Sequence, residues 1–343
     1  MSNNTTDIAV VGFAHAPHVS ETYGTTNGVE MLVPCFRHLY DKLGIKVGDI
    51  DFWCSGSSDY LAGRAFSFIS AIDSIGAVPP INESHVEMDA AWALYEAWVK
   101  LRSGQAETAL VYGFGKASAG TLRQVLTLQT DPYLVAPLWP DAVSMAGLQA
   151  RAGLDAGRWT ERDMAAVSAA DADEIEKRLA APYVADPLRE HDIAPITDGA
   201  AAIVLATGDR ARELCERPAW LTGMAHRIDT PILGARDLTS SPSAAAAAAA
   251  VRNGDTAEFD VAELHTQFSH EQLILKEALG LGDSTRINPS GGPLAGNPMF
   301  SAGLERIGFA ATAIMNGAAD RALAHASSGP ALQQNLVSTL EAR

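Results

Sequence analysis

Residues Asn288–Gly303 read Asn-Pro-Ser-Gly-Gly-Pro-Leu-Ala-Gly-Asn-Pro-Met-Phe-Ser-Ala-Gly, with four glycines and three prolines in sixteen residues. Proline fixes φ, whereas glycine opens the φ > 0 region and permits close backbone approach. The stretch lies between two apolar runs of helical character, Leu273–Leu281 and Leu304–Met315. A tight loop that feeds a helix N-terminus presents unpaired N–H groups to whatever binds there. An ordinary surface turn needs no such run of breakers between two apolar segments. The chain must therefore fold so that a defined loop, rich in backbone donors, is held at the entrance of a packed helix.

Upstream, short apolar runs alternate with helical patterns. Ile8–Phe13, Asp49–Gly56 and Thr108–Gly115 read as buried strands, the second reaching its end at Cys54. Val29–Leu43, a segment around Phe66–Ile75, and Met88–Leu101 read as helices, with Gly44 and Ser103-Gly104 as stops. This order is an α/β signature with parallel neighbours. Residues 116–195 break the rhythm with scattered prolines, Trp139, Trp159 and a polar helix near 170–180, as expected of an excursion packed over one face. Thr197–Ala206 returns as a strand, and Arg210–Cys215 is a short helix. The rhythm then restarts with a strand at Trp220–Ala225, a helix at Ala244–Val251 capped by Ser241 or Ser243, and a strand at Phe259–His265. Leu332–Thr339 reads as the last strand. The alanine run Ala244–Ala250 suits a helix packed closely on a neighbour. Two successive units of similar layout point to internal duplication, with halves at 1–215 and 216–343 and residues 116–195 inserted in the first.

Composition excludes several classes. A net charge of −16 argues against a nucleic-acid partner, which requires a basic surface. No apolar window has the length of a membrane span, and the N-terminus lacks the basic and apolar regions of a secretory signal. Cys35, Cys54 and Cys215 are odd in number and without ligand spacing, as expected of reduced, cytoplasmic thiols. No His, Cys, Asp or Glu group has metal spacing, so no metal is expected. Gly113-x-Gly115 is too short for a dinucleotide fingerprint.

The Asn288–Gly303 stretch resembles the Asn-Pro-Ser-Gly-Gly…Gly-His-Pro loop of the thiolase superfamily, with Asn297 where the histidine belongs. Other stretches resemble this superfamily in the order it requires. Gly113-Phe-Gly-Lys-Ala-Ser is similar to Gly-x-Glu-Lys-Met-Ser, and Asp198–Leu205 is similar to the strand that closes the loop region. Glu263-Leu-His-Thr-Gln-Phe resembles the Glu-Leu-His-Asp-x-Phe of sterol-carrier-type thiolases, and His325-Ala-Ser-Ser-Gly-Pro takes the place of a glycine-rich turn near the end. The resemblance implies an α/β thiolase fold: two duplicated halves forming a five-layered αβαβα core with an inserted loop region.

The departures shape the functional expectation. Condensing thiolases use a cysteine at the N-terminus of a buried helix. Counting back from Gly104 puts that position at about Glu87, and Ala326, Ser327 or Ser328 replaces the second catalytic cysteine. The loop is one residue shorter than the family's. Without a thiol, thiolysis and Claisen condensation are not expected. The resemblance points instead to the cysteine-less branch that acts as aldol lyases in steroid side-chain degradation, with a partner carrying a DUF35-type OB-fold and often a zinc ribbon. It implies retro-aldol cleavage of a β-hydroxyacyl-CoA to a ketone and a short acyl-CoA such as propionyl-CoA. The alternatives are a non-catalytic thiolase-like scaffold subunit of a DUF35-containing complex and an acetyl-CoA acyltransferase. His265 is expected as base and oxyanion contact, and Asn297 as an oxyanion donor. Glu87, His85 and His325 are further candidates, with His15 and His18 behind them. Ser290, Gly291, Gly292 and Gly296 are expected to contact substrate through the loop. No tightly bound cofactor is implied, coenzyme A being part of the substrate, and a homodimeric core without membrane insertion is expected.

Overall fold

The computed structural model describes residues 7–23, 28–59, 69–76 and 79–343. The main sheet is ten-stranded: β1 Ile8–His15, β2 Phe52–Gly56, β3 Glu83–Val86, β4 Thr108–Gly115, β5 Gly199–Thr207, β6 Ala219–Ile228, β7 Val261–Leu264, β8 Arg286–Ile287, β9 Arg321–Ser328 and β10 Gln334–Glu341. Apart from a single helical turn at Gly292–Ala295, the helices are α1 Gly28–Leu43, α2 Ile69–Ile75, α3 Ala90–Arg102, α4 Leu122–Leu128, α5 Ala142–Asp155, α6 Glu161–Ala166, α7 Ala172–Leu179, α8 Gly208–Leu214, α9 Pro242–Arg252, α10 Ser269–Ala278 and α11 Ala302–Met315. The front of the helix predicted around Phe66–Ile75 lies outside the described residues.

Strand order is β8-β7-β9-β10-β6-β1-β5-β4-β2-β3. Outward from the middle, each half repeats one pattern. β1, β5 and β4 run antiparallel in turn, and β4, β2 and β3 are parallel. β6, β10 and β9 are likewise antiparallel, and β9, β7 and β8 are parallel. The expectation of parallel neighbours thus holds for the outer strands of each half and fails for the inner ones. Only Ala9 and Val10 of β1 pair with β6, through Trp220 and Ala219, so two half-sheets meet at a narrow seam.

Burial on both faces explains the continuous apolar runs. Along β1, Ile8 and Val10 join a central core while Ala9 and Val11 join an outer one. The central core holds α3 and α11 between the half-sheets, with Ala90, Leu94, Ala97, Leu304, Ile307 and Ala310 among its members. Small side chains let two helices share this layer. One outer layer is α1 on β1, β4 and β5; the other is α9 and α10 on β6, β7 and β9. The result is five layers, αβαβα, as expected. In α9, Ala244, Ala247 and Ala248 form the buried stripe, and Ser241 is the cap. The inserted segment packs on the second half: Val143, Ala146 and Ala150 of α5, with Trp159, join the outer core of α9 and α10. His325–Ser328, expected to stand in place of a turn, is the end of strand β9, which is hydrogen-bonded on both sides by β7 and β10.

Candidate active site

The two central helices begin at the same carboxylate. Asp89 is the N-cap of α3, and its Oδ1 accepts Ala91 N–H at 2.8 Å. The same side chain accepts Gly303 N–H at 2.9 Å and Leu304 N–H at 3.0 Å, and so caps α11 as well. A Cβ at position 303 would lie 2.5 Å from Asp89 Oδ1, which is why the loop ends in glycine. Burial pushes the Asp89 carboxyl up to about 7; the three N–H donors pull it back only in part, and Glu305 adds a further push upward.

His265 follows directly on β7. Ser327 N–H donates to its Nδ1 at 3.3 Å, and Ser327 Oγ–H donates to its carbonyl at 3.0 Å. A backbone N–H can only donate, so Nδ1 holds a lone pair and the ring proton is on Nε2. That Nε2–H faces Asn297 Oδ1 at 3.3 Å. Burial above all, then Arg306 and His325, lowers the imidazole pKa to about 3. A ring so held is neutral at physiological pH and offers its Nε2–H as a donor. Asn297 is itself fixed, its N–H donating to Thr197 Oγ1 at 2.9 Å while Asn297-Pro298 pairs in parallel with Ile196-Thr197. The loop then crosses the end of β4, where a Cβ on Gly115 would fall 1.2 Å from Met299 O. Gly113-Phe-Gly is the seat of this crossing.

A cavity of about 430 Å³ opens here, with Asp89, Gln129, His265, Glu271, Phe300 and Ser327 in its wall. The inserted segment contributes Leu126, Val135 and Met145 to the opposite wall. Glu271, in the first turn of α10, accepts Gln267 N–H at 2.8 Å and Phe268 N–H at 3.2 Å, both on Oε2. Burial pushes its carboxyl up to about 7.

The structure brings His265 and Asn297 within hydrogen-bond reach, with His265 in the cavity wall and Asn297 not in it, and leaves the other candidates elsewhere. Glu87 is two residues short of α3, half-exposed, with Oε1 accepting Asp59 N–H at 2.7 Å. The residue that caps the helix is Asp89, two positions beyond Glu87. His85 lies on β3, 2.9 Å from Ser55 Oγ and 3.4 Å from Glu87, outside the cavity wall. His325 is buried within β9; Asn335, whose Nδ2 donates to Ser243 Oγ at 2.7 Å, turns its Oδ1 to His325 Nε2 at 2.8 Å. Its pKa is lowered to about 4 by burial. Ser290 bonds the buried Glu263–Arg306 pair, with Oγ 2.7 Å from Glu263 Oε2 and 2.8 Å from Arg306. Gly291 and Gly292 take φ of 93° and 59°, while Gly296 is extended at 178°. None of these four loop residues lines the cavity. Asp89 and Glu271 escaped the sequence reading. A signal existed for Asp89, an acidic residue immediately before an apolar helical run, which is an N-cap pattern.

The whole chain superposes on two solved structures. One is the Ltp2–ChsH2(DUF35) aldolase, with a TM-score of 0.77, 17% identity and 98% of both chains covered. The other is human mitochondrial 3-ketoacyl-CoA thiolase, with a TM-score of 0.73, 14% identity, and 99% of this chain and 100% of that chain covered. This is the thiolase fold. No protein-family model matches the chain. Among curated relatives, the acetyl-CoA acetyltransferase of Methanocaldococcus jannaschii is 24% identical over 363 residues, covering 88% of each protein. That of Methanothermobacter thermautotrophicus is 32% identical over 152 residues, which span 38% of this chain and 40% of the relative. In this thiolase-fold chain, Asp89 and Ser327 stand in the cavity wall, and Cys35, Cys54 and Cys215 do not. Cys35 is a buried residue of α1, and burial pushes its thiol up to about 12. Cys54, buried in β2, is pushed up as well. Among the described residues, no helix is long and apolar enough to cross a membrane.

Proposed function

We propose that the chain is a CoA-thioester aldol lyase that cleaves a β-hydroxyacyl-CoA without a covalent nucleophile. The observation that carries this reading is a thiol-free cavity whose wall holds a neutral imidazole and two carboxyls with pKa values pushed up to about 7. Retro-aldol cleavage needs a base for the β-hydroxyl and donors for the thioester oxygen, and nothing else. Glu271 is the base in this reading, because its N–H contacts fall on Oε2 and leave Oε1 for the substrate. It takes the hydroxyl proton; the O–H electrons form the ketone C=O; the Cα–Cβ bond breaks, and its electron pair becomes the thioester enolate. The His265 Nε2–H, which rests on Asn297 Oδ1, turns to the enolate oxygen and donates to it as charge develops. A proton delivered to Cα, from the carboxyl that took it, completes the short acyl-CoA. A neutral imidazole is suited to this role, since it donates a hydrogen bond without carrying charge into a buried site.

The likeness to the Ltp2–ChsH2(DUF35) aldolase supports the reaction type and the partner type, a DUF35 protein. We carry over a steroid side-chain CoA ester as substrate, propionyl-CoA as short product, a homodimeric core and a cytoplasmic location from the resemblance to the cysteine-less branch. Coenzyme A enters as part of the substrate, with no tightly bound cofactor. Acyl transfer is the second reading, favoured by the names of the curated relatives. It requires an acyl group on an oxygen of Ser327 or Asp89. Co-expression with a DUF35-type protein, followed by an assay for ketone release, separates the two. The lyase gives ketone and short acyl-CoA in equal amounts, and an acylated chain in the intact-mass spectrum would overturn it.

A further inference from the structure

A second group of ligating side chains lies behind the loop, away from the cavity wall. His15 ends β1, His18 follows three residues later, and Glu305 lies in the first turn of α11. One ligand atom from each falls within 4.8 Å of the other two. No ligand spacing announces this group, because Glu305 is 287 positions from His18.

The three residues are held in place by the fold. Ala16 N–H donates to Ala200 O at 2.7 Å, and Val19 and Asp198 exchange backbone bonds of 3.3 and 2.8 Å, so residues 16–19 run against the start of β5. Asp198 tightens this turn by accepting Thr22 N–H at 2.8 Å and Ser118 N–H at 2.9 Å. The His15 ring is stacked at 5.6 Å on Phe13 and meets Phe309 edge-on at 5.1 Å. Its Nδ1 is 2.9 Å from Ala16 O, the outer contact with which a histidine commonly presents its other nitrogen to a metal. His18 Nε2 is 2.9 Å from Glu305 Oε2, and a Cβ on Gly296 would lie 2.1 Å from His18 Nδ1. Glu305 is fully buried; Ser301 Oγ is 3.3 Å from Oε1, and Arg306 is 3.4 Å from Oε2 while also pairing with Glu263 at 3.0 Å. His15 borders a cleft of about 620 Å³ with Cys35 and His38, which gives an ion a way in.

We propose that His15, His18 and Glu305 form a zinc site that ties the end of β1 to the first turn of α11. Two imidazoles and one carboxylate, with a fourth position toward the cleft, match the donor set and open tetrahedron that Zn²⁺ accepts. On binding, the His18 proton moves from Nε2 to Nδ1 and the present hydrogen bond to Glu305 is replaced by coordination. Gly296 precedes Asn297, so the ion braces the loop from behind and takes no part in cleavage. The site is independent of the reaction proposed above.

The test uses the untagged full chain, stripped with a chelator and titrated with zinc chloride by calorimetry and by melting temperature. One zinc per chain is expected, with a rise in melting temperature of about 2 °C at saturation. His15→Ala, on an exposed side chain, is expected to weaken binding by about tenfold or more and to remove the shift. Glu305→Gln is expected to do the same. Should Glu305→Gln fail to fold, His15→Ala still decides. A wild-type chain that takes up no zinc, or a His15→Ala chain that binds as wild type does, overturns the site.

Discussion

The two halves of the molecule end equivalent strands in opposite ways. In the first half, β4 ends at Gly113-Phe-Gly, and the space beyond it is filled by the backbone of the loop, with Met299 O over Gly115. In the second half, the matching strand β9 ends at Ser327 and Ser328, beside His265 at the end of β7, and the space beyond is the cavity. The helices differ in the same sense. α3 contributes a capping carboxylate, Asp89, while α11 contributes the loop that reaches across to the first half. The repeated layout thus supplies two sets of strand ends, one used as a seat and the other left with polar side chains facing a hollow. Substitutions in the seat should act on stability, and substitutions in the hollow on chemistry.

Breaking the hollow should have the largest effect. Glu271→Gln keeps the size and the N–H contacts of the side chain and removes the base, so kcat should fall by about 10²–10⁴-fold with KM little changed. His265→Ala should cost about 10²–10³-fold through loss of the enolate donor, while CoA-ester binding measured by calorimetry persists. Wild-type turnover in His265→Ala would remove the donor role. Breaking the seat should look different. Gly115→Ala puts a methyl where Met299 O lies, and should lower stability by about 2–4 kcal/mol in a denaturant titration. Its counterpart Ser327→Ala loses one neutral hydrogen bond to the His265 carbonyl, about 1 kcal/mol, in the same titration. Equal losses from the two would erase the distinction between seat and hollow.

The pH dependence sharpens the same contrast. Raised to about 7, Glu271 acts as base only when ionised, so kcat should climb with pH up to about 7 and level off above it. Glu271→Gln should lose this limb. Stability responds with opposite signs. His265, His270 and His325 have folded pKa values lowered to about 3, 3 and 4, below the ordinary histidine range. Between those values and about 6.5 the unfolded chain takes up protons that the folded chain refuses. Their contribution is therefore present above about 6.5 and lost on acidification, at most about 1.4 kcal/mol per pH unit for each. Asp89 and Glu271, raised to about 7, oppose this, favouring the fold below about 4 and losing that contribution as pH rises through 7. Melting temperatures across pH 4–8 should therefore show a net fall in acid that shrinks in His270→Gln.

The fold was legible because its signals are local. Strands buried on both faces must be continuous apolar runs, and a loop pinned between two helices must be rich in glycine and proline. β9 was hidden because Arg-Ala-Leu-Ala-His-Ala-Ser-Ser has little β-propensity; its neighbours β7 and β10, not its own residues, make it a strand. Asn297 and His265 were legible through the motifs around them. The neutral state of the His265 imidazole was not, because a depressed pKa comes from burial and from Arg306 and His325, neither of which spacing reveals. Glu87 was chosen by counting, whereas the position is set by where α3 begins. Glu271 looked like any acidic residue in a polar helix start, and only the fold turns it toward the cavity.

The most direct measurement is the product balance from a β-hydroxyacyl-CoA incubated with the chain and a DUF35-type partner, followed by mass spectrometry. Ketone and short acyl-CoA released in equal amounts, with the chain's own mass unchanged at every time point, is the predicted result. A covalent acyl adduct on the chain, or an acyl-CoA product without ketone, would contradict a thiol-free retro-aldol site.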